Sequence, residues 1–139
     1  MFINNKAFIG GVVFSFLYNI SDVGSIFHYN EANSNNTFTT LYISGYGAAL
    51  TASRGYITLN QSSFVGNTAN TLGTLALQLS NMKALGVMIR NNRVHDTHSS
   101  GVFLGASEVH FSDTTYLNNS GSLFATSSNV TFSGKSVFC

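Results

Sequence analysis

Ile57-Thr-Leu-Asn60-Gln-Ser-Ser-Phe64-Val-Gly-Asn67-Thr-Ala69 is the stretch whose reading decides the fold. Its second half, Phe-x-x-Asn-x-Ala, occurs three times, anchored at Phe2, Phe27 and Phe64. Degenerate copies follow at Ile89 with Asn92 and at Tyr116 with Asn119, and Val137 reads as the start of another. The steps between these anchors are 25, 37, 25, 27 and 21 residues. A phrase that returns at such a period marks one structural unit copied and stacked.

The first half of the stretch supplies a strand. Ile57 and Leu59 stand seven and five residues before Phe64, as Met82 and Ala84 do before Ile89 and Val109 and Phe111 before Tyr116. Val130 and Phe132 precede Val137 in the same way, whereas Phe27 has Ile20 but Asp22. A spacing of two puts both side chains on one face of a strand, with Thr58, His110 and Thr131 on the other. Asn60-Gln-Ser-Ser, Ser112-Asp-Thr-Thr and Ser133-Gly-Lys-Ser then turn the chain, because short polar side chains bond to local backbone. A helix-free unit of about 25 residues predicts one coil of an all-β, right-handed parallel β-helix, and the chain holds about five coils.

Coils about 4.8 Å apart stack equivalent residues directly. Phe2, Phe27, Phe64, Ile89, Tyr116 and Val137 are expected to form an apolar core column. Asn5, Asn30, Asn67, Asn92 and Asn119 are expected to form an amide ladder at a turn, each side chain donating to the next and tolerating a left-handed backbone. Ala7, Ala32 and Ala69 are small where that turn is crowded. Composition agrees. Charged residues make up only 8%, since like charges repeated on every coil repel, and proline is absent, as backbone pairing between coils requires. A β-sandwich also has closely spaced strands but gives no reason for the phrase to return.

The chain reads as one unit, residues 1–139, taken from a longer solenoid and incomplete at both ends. The long step from Phe27 to Phe64 is assigned to an inserted loop at residues 33–46, around Asn33-Ser-Asn-Asn-Thr37. Residues 1–25 admit two readings. Lys6 followed by an apolar run to Tyr18 has the form of a signal peptide, yet Phe2, Asn5, Ala7 and Gly11 match Phe64, Asn67, Ala69 and Gly73 position for position, which favours a first coil.

The chemistry inventory is thin. Asp22, Glu31, Asp96, Glu108 and Asp113 fall on separate coils, whereas cleaving a polysaccharide needs clustered carboxylates. The alternative function, a carbohydrate-active β-helix of lyase or glycoside hydrolase type, requires two of Asp96, Glu108 and Asp113 within about 10 Å in a groove. His95-Asp96-Thr-His98, with His110 as a further candidate, is the one metal-like cluster and lacks a third ligand at a persuasive spacing. No residue is assigned a catalytic, cofactor-binding or metal-ligating role, and no cofactor is expected. A net charge of +1, with Arg54, Arg90 and Arg93 forming no stripe, argues against nucleic acid. Cys139 is the only cysteine, and Asn19, Asn35, Asn60, Asn118 and Asn129 each open an Asn-x-Ser/Thr sequon.

With Gly10-Gly-Val-Val13, Gly47-Ala-Ala-Leu50 and Gly73-Thr-Leu-Ala76 interleaved between the Phe-x-x-Asn copies, the chain resembles the polymorphic outer-membrane protein repeats. In that family Phe-x-x-Asn alternates with Gly-Gly-Ala-Ile/Leu/Val on a pectin-lyase-like solenoid. The resemblance implies a surface-exposed region implicated in adhesion, without catalytic residues. The expected function is a non-enzymatic extracellular or cell-surface module, acting as a stalk or an adhesive surface. Its expected partners are a cell-surface protein or glycan and the remainder of its own solenoid.

Overall fold

The computed structural model of the chain describes residues 1–7, 12–32, 49–70, 73–95 and 101–139. Their regular elements are all β-strands, and strand pairs with strand in parallel throughout. The first coil carries β1 (Phe2–Ile3), β2 (Lys6–Ala7), β3 (Val13–Phe16) and β4 (Ile20–Val23). The second carries β5 (Ile26–His28), β6 (Glu31–Ala32), β7 (Leu50–Ser53) and β8 (Tyr56–Asn60). The third has β9 (Ser63–Val65), β10 (Thr68–Ala69), β11 (Leu75–Gln78) and β12 (Asn81–Leu85), and the fourth β13 (Met88–Arg90), β14 (Arg93–Val94), β15 (Val102–Gly105) and β16 (Glu108–Ser112). β17 (Thr115–Leu117), β18 (Leu123–Thr126) and β19 (Asn129–Ser133) form a coil without the short second strand, and β20 (Val137–Phe138) stacks on β17. The fold is a parallel β-solenoid of four complete coils and a partial continuation, with four sheets running along its length.

Register follows the repeated phrase. Phe27 lies opposite both Phe2 and Phe64, and Ile89 opposite both Phe64 and Tyr116. The Phe27 and Phe64 rings stack with centroids 4.7 Å apart and planes 4° from parallel, so the coil spacing itself sets the aromatic contact. In the fourth sheet Ile57, Met82 and Val109 make one buried column and Leu59, Ala84 and Phe111 another. The third sheet adds Leu50, Leu75 and Val102 beside Ala52, Leu77 and Leu104. Three sheets thus turn alternate residues onto one core that runs the length of the described coils. Asp22 occupies the first position of the Leu59 column; its carboxylate survives there by accepting the Ser62 hydroxyl at 2.5 Å.

Two expectations are corrected. The last anchor is Phe138, not Val137: Phe138 lies opposite Tyr116 and Val137 opposite Thr115. The corner after β19 holds Gly134, Lys135 and Ser136, one residue more than the two at each earlier corner, so counting seven back from the anchor slips by one. The left-handed residue of the Asn turn is not the ladder asparagine but the residue before it: Asn4, Tyr29, Gly66, Asn91 and Asn118 have φ between 51° and 66°.

Seventeen residues separate β6 from β7, against five between β10 and β11, which locates the extra length of the second coil. The loop assigned to residues 33–46 lies outside the described residues. In the first coil β1 pairs with β5, and Asn5 joins the ladder, as a coil reading of that segment requires.

Candidate functional site

The repeated residues are spent on structure. Asn67, fully buried, donates its two side-chain N–H bonds to Asn92 Oδ1 (2.9 Å) and to the Phe27 carbonyl (2.9 Å). Its Oδ1 accepts from the Asn30 backbone N–H (2.9 Å) and from Asn30 Nδ2 (2.9 Å). Four bonds saturate the amide. Asn30 and Asn92 repeat the pattern with Phe2, Phe64 and their neighbouring asparagines. These side chains have no capacity left for a ligand.

Two further polar columns were not foreseen. Ser80 and Ser107 each donate the backbone N–H to the serine hydroxyl one coil later: the Ser80 N–H donates to Ser107 Oγ (3.2 Å) and the Ser107 N–H to Ser128 Oγ (3.0 Å). Each hydroxyl in turn donates to the carbonyl two residues before it. At the next corner the Thr114 N–H donates to Ser136 Oγ in the same way. The signal was in the sequence, since Ser80, Ser107 and Ser128 recur at 27 and 21 residues, the steps found between the anchors.

The two described acidic candidates, Glu108 and Asp113, do not converge. Glu108 opens β16 and Asp113 lies just beyond its end, roughly 16 Å away at the rise of a strand. Asp113 is committed to the corner: the Lys135 backbone N–H (2.9 Å), helped by the Ser112 hydroxyl (3.1 Å), holds its carboxyl below the usual aspartate value. Asp96 and His98 lie outside the described residues. His95 follows β14 on the short sheet, whereas His110 is in mid-β16 on the fourth, so His110 does not complete a cluster with it. Both His110 ring nitrogens already face hydroxyls, Nδ1 at 2.7 Å from Thr131 Oγ1 and Nε2 at 3.1 Å from Ser133 Oγ. Among the described residues no three His, Cys, Asp or Glu side chains gather as a metal site would need, and no helix is long and apolar enough to cross a membrane.

What remains for function is the outside of the coils. Tyr56, Asn81, Glu108 and Asn129 form one outward column of the fourth sheet, and Thr58, Lys83, His110 and Thr131 the next. All of these but Asn129 border a groove of about 530 Å³. A second groove, about 740 Å³, follows the Asn corner between the first and second sheets, from Tyr29 past Gly66 to Asn91, Arg93, Asn118 and Ser120. Of the sequon asparagines, Asn19, Asn118 and Asn129 are exposed, Asn60 is half-buried, and Asn35 lies outside the described residues.

Comparison with protein-family models, with curated proteins and with solved structures finds no match to this chain.

Proposed function

We propose that this chain is a non-enzymatic β-solenoid module of an extracellular or cell-surface protein, a rod whose outer faces carry recognition. One observation supports this above others. With Asp22 the exception, inward columns keep the same chemistry from coil to coil, as in Leu50, Leu75 and Val102, while outward columns change it, as in Tyr56, Asn81 and Glu108. A scaffold that holds its interior constant and varies its exterior presents a surface rather than a reaction centre. The resemblance of its Phe-x-x-Asn copies to polymorphic outer-membrane protein repeats points the same way, towards adhesion to a surface protein or glycan. The separation of Glu108 from Asp113 weighs against the polysaccharide-cleaving alternative.

The purified chain is expected to adhere to immobilised cell-surface material while releasing neither reducing ends nor unsaturated products from polysaccharides. Cleavage that disappears in Glu108→Gln would overturn this reading in favour of the enzyme.

A further inference from the structure

We infer that the groove along the Asn corner binds an anionic oligosaccharide, laid parallel to the solenoid axis. This rests on the recognition role proposed above and names its ligand class. The groove exists because one member of an outward column has no side chain: Asn4, Tyr29, Asn91 and Asn118 share with Gly66 the position before the ladder asparagine. The other four adopt positive φ without being glycine, so backbone conformation alone does not demand glycine at 66. The Tyr29 ring does. It folds over the Gly66 backbone, with Cδ1 and Cε1 each 2.6 Å from where a Cβ would stand. A side chain there would expel the ring and fill the groove.

Beyond that notch the groups are polar and unspent. The Asn91 and Asn118 carboxamides are exposed and make no hydrogen bond to a described residue, and the Arg93 guanidinium makes no ion pair with one. None of the described residues bordering the groove is acidic. An unpaired guanidinium is a two-pronged donor suited to a carboxylate or sulfate. Free amides serve hydroxyl groups as donor and acceptor together, and an exposed tyrosine offers an apolar ring with a polar tip. These groups recur at the coil spacing of about 4.8 Å, close to the length of one hexose in an extended chain. The volume lies in the range of small-ligand sites.

The test is calorimetric titration of the whole chain, made in bacteria so that the Asn118 sequon stays unmodified. The probes are a uronic-acid tetrasaccharide, a sulfated heparin tetrasaccharide, neutral cellotetraose and an acidic oligoglutamate peptide. One or both anionic sugars should bind, cellotetraose more weakly, and affinity should fall with salt. Arg93→Gln should lose about tenfold or more in affinity, the effect of one charge-assisted contact, and Tyr29→Ala should also weaken binding, both with unchanged thermal unfolding. Lys83→Gln, on the other groove, should leave binding intact. Equal binding in wild type and Arg93→Gln, tighter binding of cellotetraose, or preference for the peptide overturns the inference. Adhesion to cell-surface material without any sugar binding would overturn it while leaving the recognition role standing; loss of adhesion as well would remove both.

Discussion

Replacing Asn67 by alanine tests the ladder at its most enclosed point. The substitution deletes four hydrogen bonds of 2.9 Å and strands two buried donors on Asn30, its backbone N–H and one side-chain N–H. At about 1–3 kcal/mol per stranded buried donor, the cost is about 2–6 kcal/mol. That is a large part of the roughly 5–15 kcal/mol that holds a domain together. Asn5→Ala is the control: Asn5 is exposed and its side chain makes a single bond, to Asn30 Oδ1 at 2.9 Å, so about 0.5–1 kcal/mol is expected. Urea unfolding followed by circular dichroism gives both values, and hydrogen exchange at the Asn30 amide reports whether the loss is local. Asn67→Asp sharpens the case, because it keeps the acceptor oxygen but turns an acceptor towards Asn92 Oδ1 and the Phe27 carbonyl. A buried carboxylate facing acceptors has its folded pKa raised above the unfolded value, so this variant should be most stable in acid and weaken as pH rises towards neutral. If Asn67→Ala costs no more than Asn5→Ala, the ladder is an ornament of the turn and the reasoning fails.

Other expectations concern the later coils. A Cβ on Gly101 would run into the Tyr116 hydroxyl and come within 3.0 Å of the Gly121 carbonyl, so Gly101→Ala should destabilise by about 1–3 kcal/mol. Combining it with Tyr116→Phe should recover part of that loss in a double-mutant cycle; strict additivity would contradict the contact. Burial pushes the Tyr116 hydroxyl, which donates to the Gly121 carbonyl at 2.7 Å, up to about 12. Its folded pKa exceeds the unfolded value near 10, so the associated stability is intact below pH 10 and is lost between pH 10 and 12. Tyr116→Phe should remove that alkaline slope, and a slope that persists would assign it elsewhere. Phe138 meets Phe132 at 4.7 Å and Tyr116 at 5.5 Å, whereas Val137 faces outward. Phe138→Ala should therefore cost about 1–3 kcal/mol and Val137→Ala under about 0.5, measured by thermal unfolding; the reverse order would restore Val137 as the anchor.

How far the sequence reveals this molecule depends on whether a residue's role repeats. Phe64, Asn67 and Leu59 were legible because stacking forces the same chemistry on every coil, so one copy explains the rest. Val137 misled because one added corner residue shifts register without changing composition. The left-handed residues were misplaced for a related reason: Leu17, Arg54 and Leu79 adopt φ of 64°, 58° and 52° although nothing in their side chains favours it. Their N–H groups bond to the end of the strand one coil on, at 2.9, 3.0 and 2.8 Å, and that pairing overrides local preference. The groove was invisible because its defining feature is Gly66, read only as a variable position of the phrase, and because Tyr29 and Arg93 belong to different coils.

The same stacking limits what such a surface can display. Each outward residue stands about 4.8 Å from its equivalents on the adjoining coils, where two like charges repel by about 1–3 kcal/mol near a protein surface. The outward columns obey this constraint. Glu31 is separated from Arg93 by Thr68, Lys83 follows Thr58, and Glu108 stands between Asn81 and Asn129. Stacking therefore disfavours adjacent like charges on one column of such a rod. The rod can place single charges within rows of amides, hydroxyls and aromatic rings, so any recognition must come from many weak polar contacts organised around one ion. Arg93, flanked by neutral Thr68 on one side and by Ser120 and Asn118 on the other, is such an arrangement, with a guanidinium that makes no ion pair with a described residue.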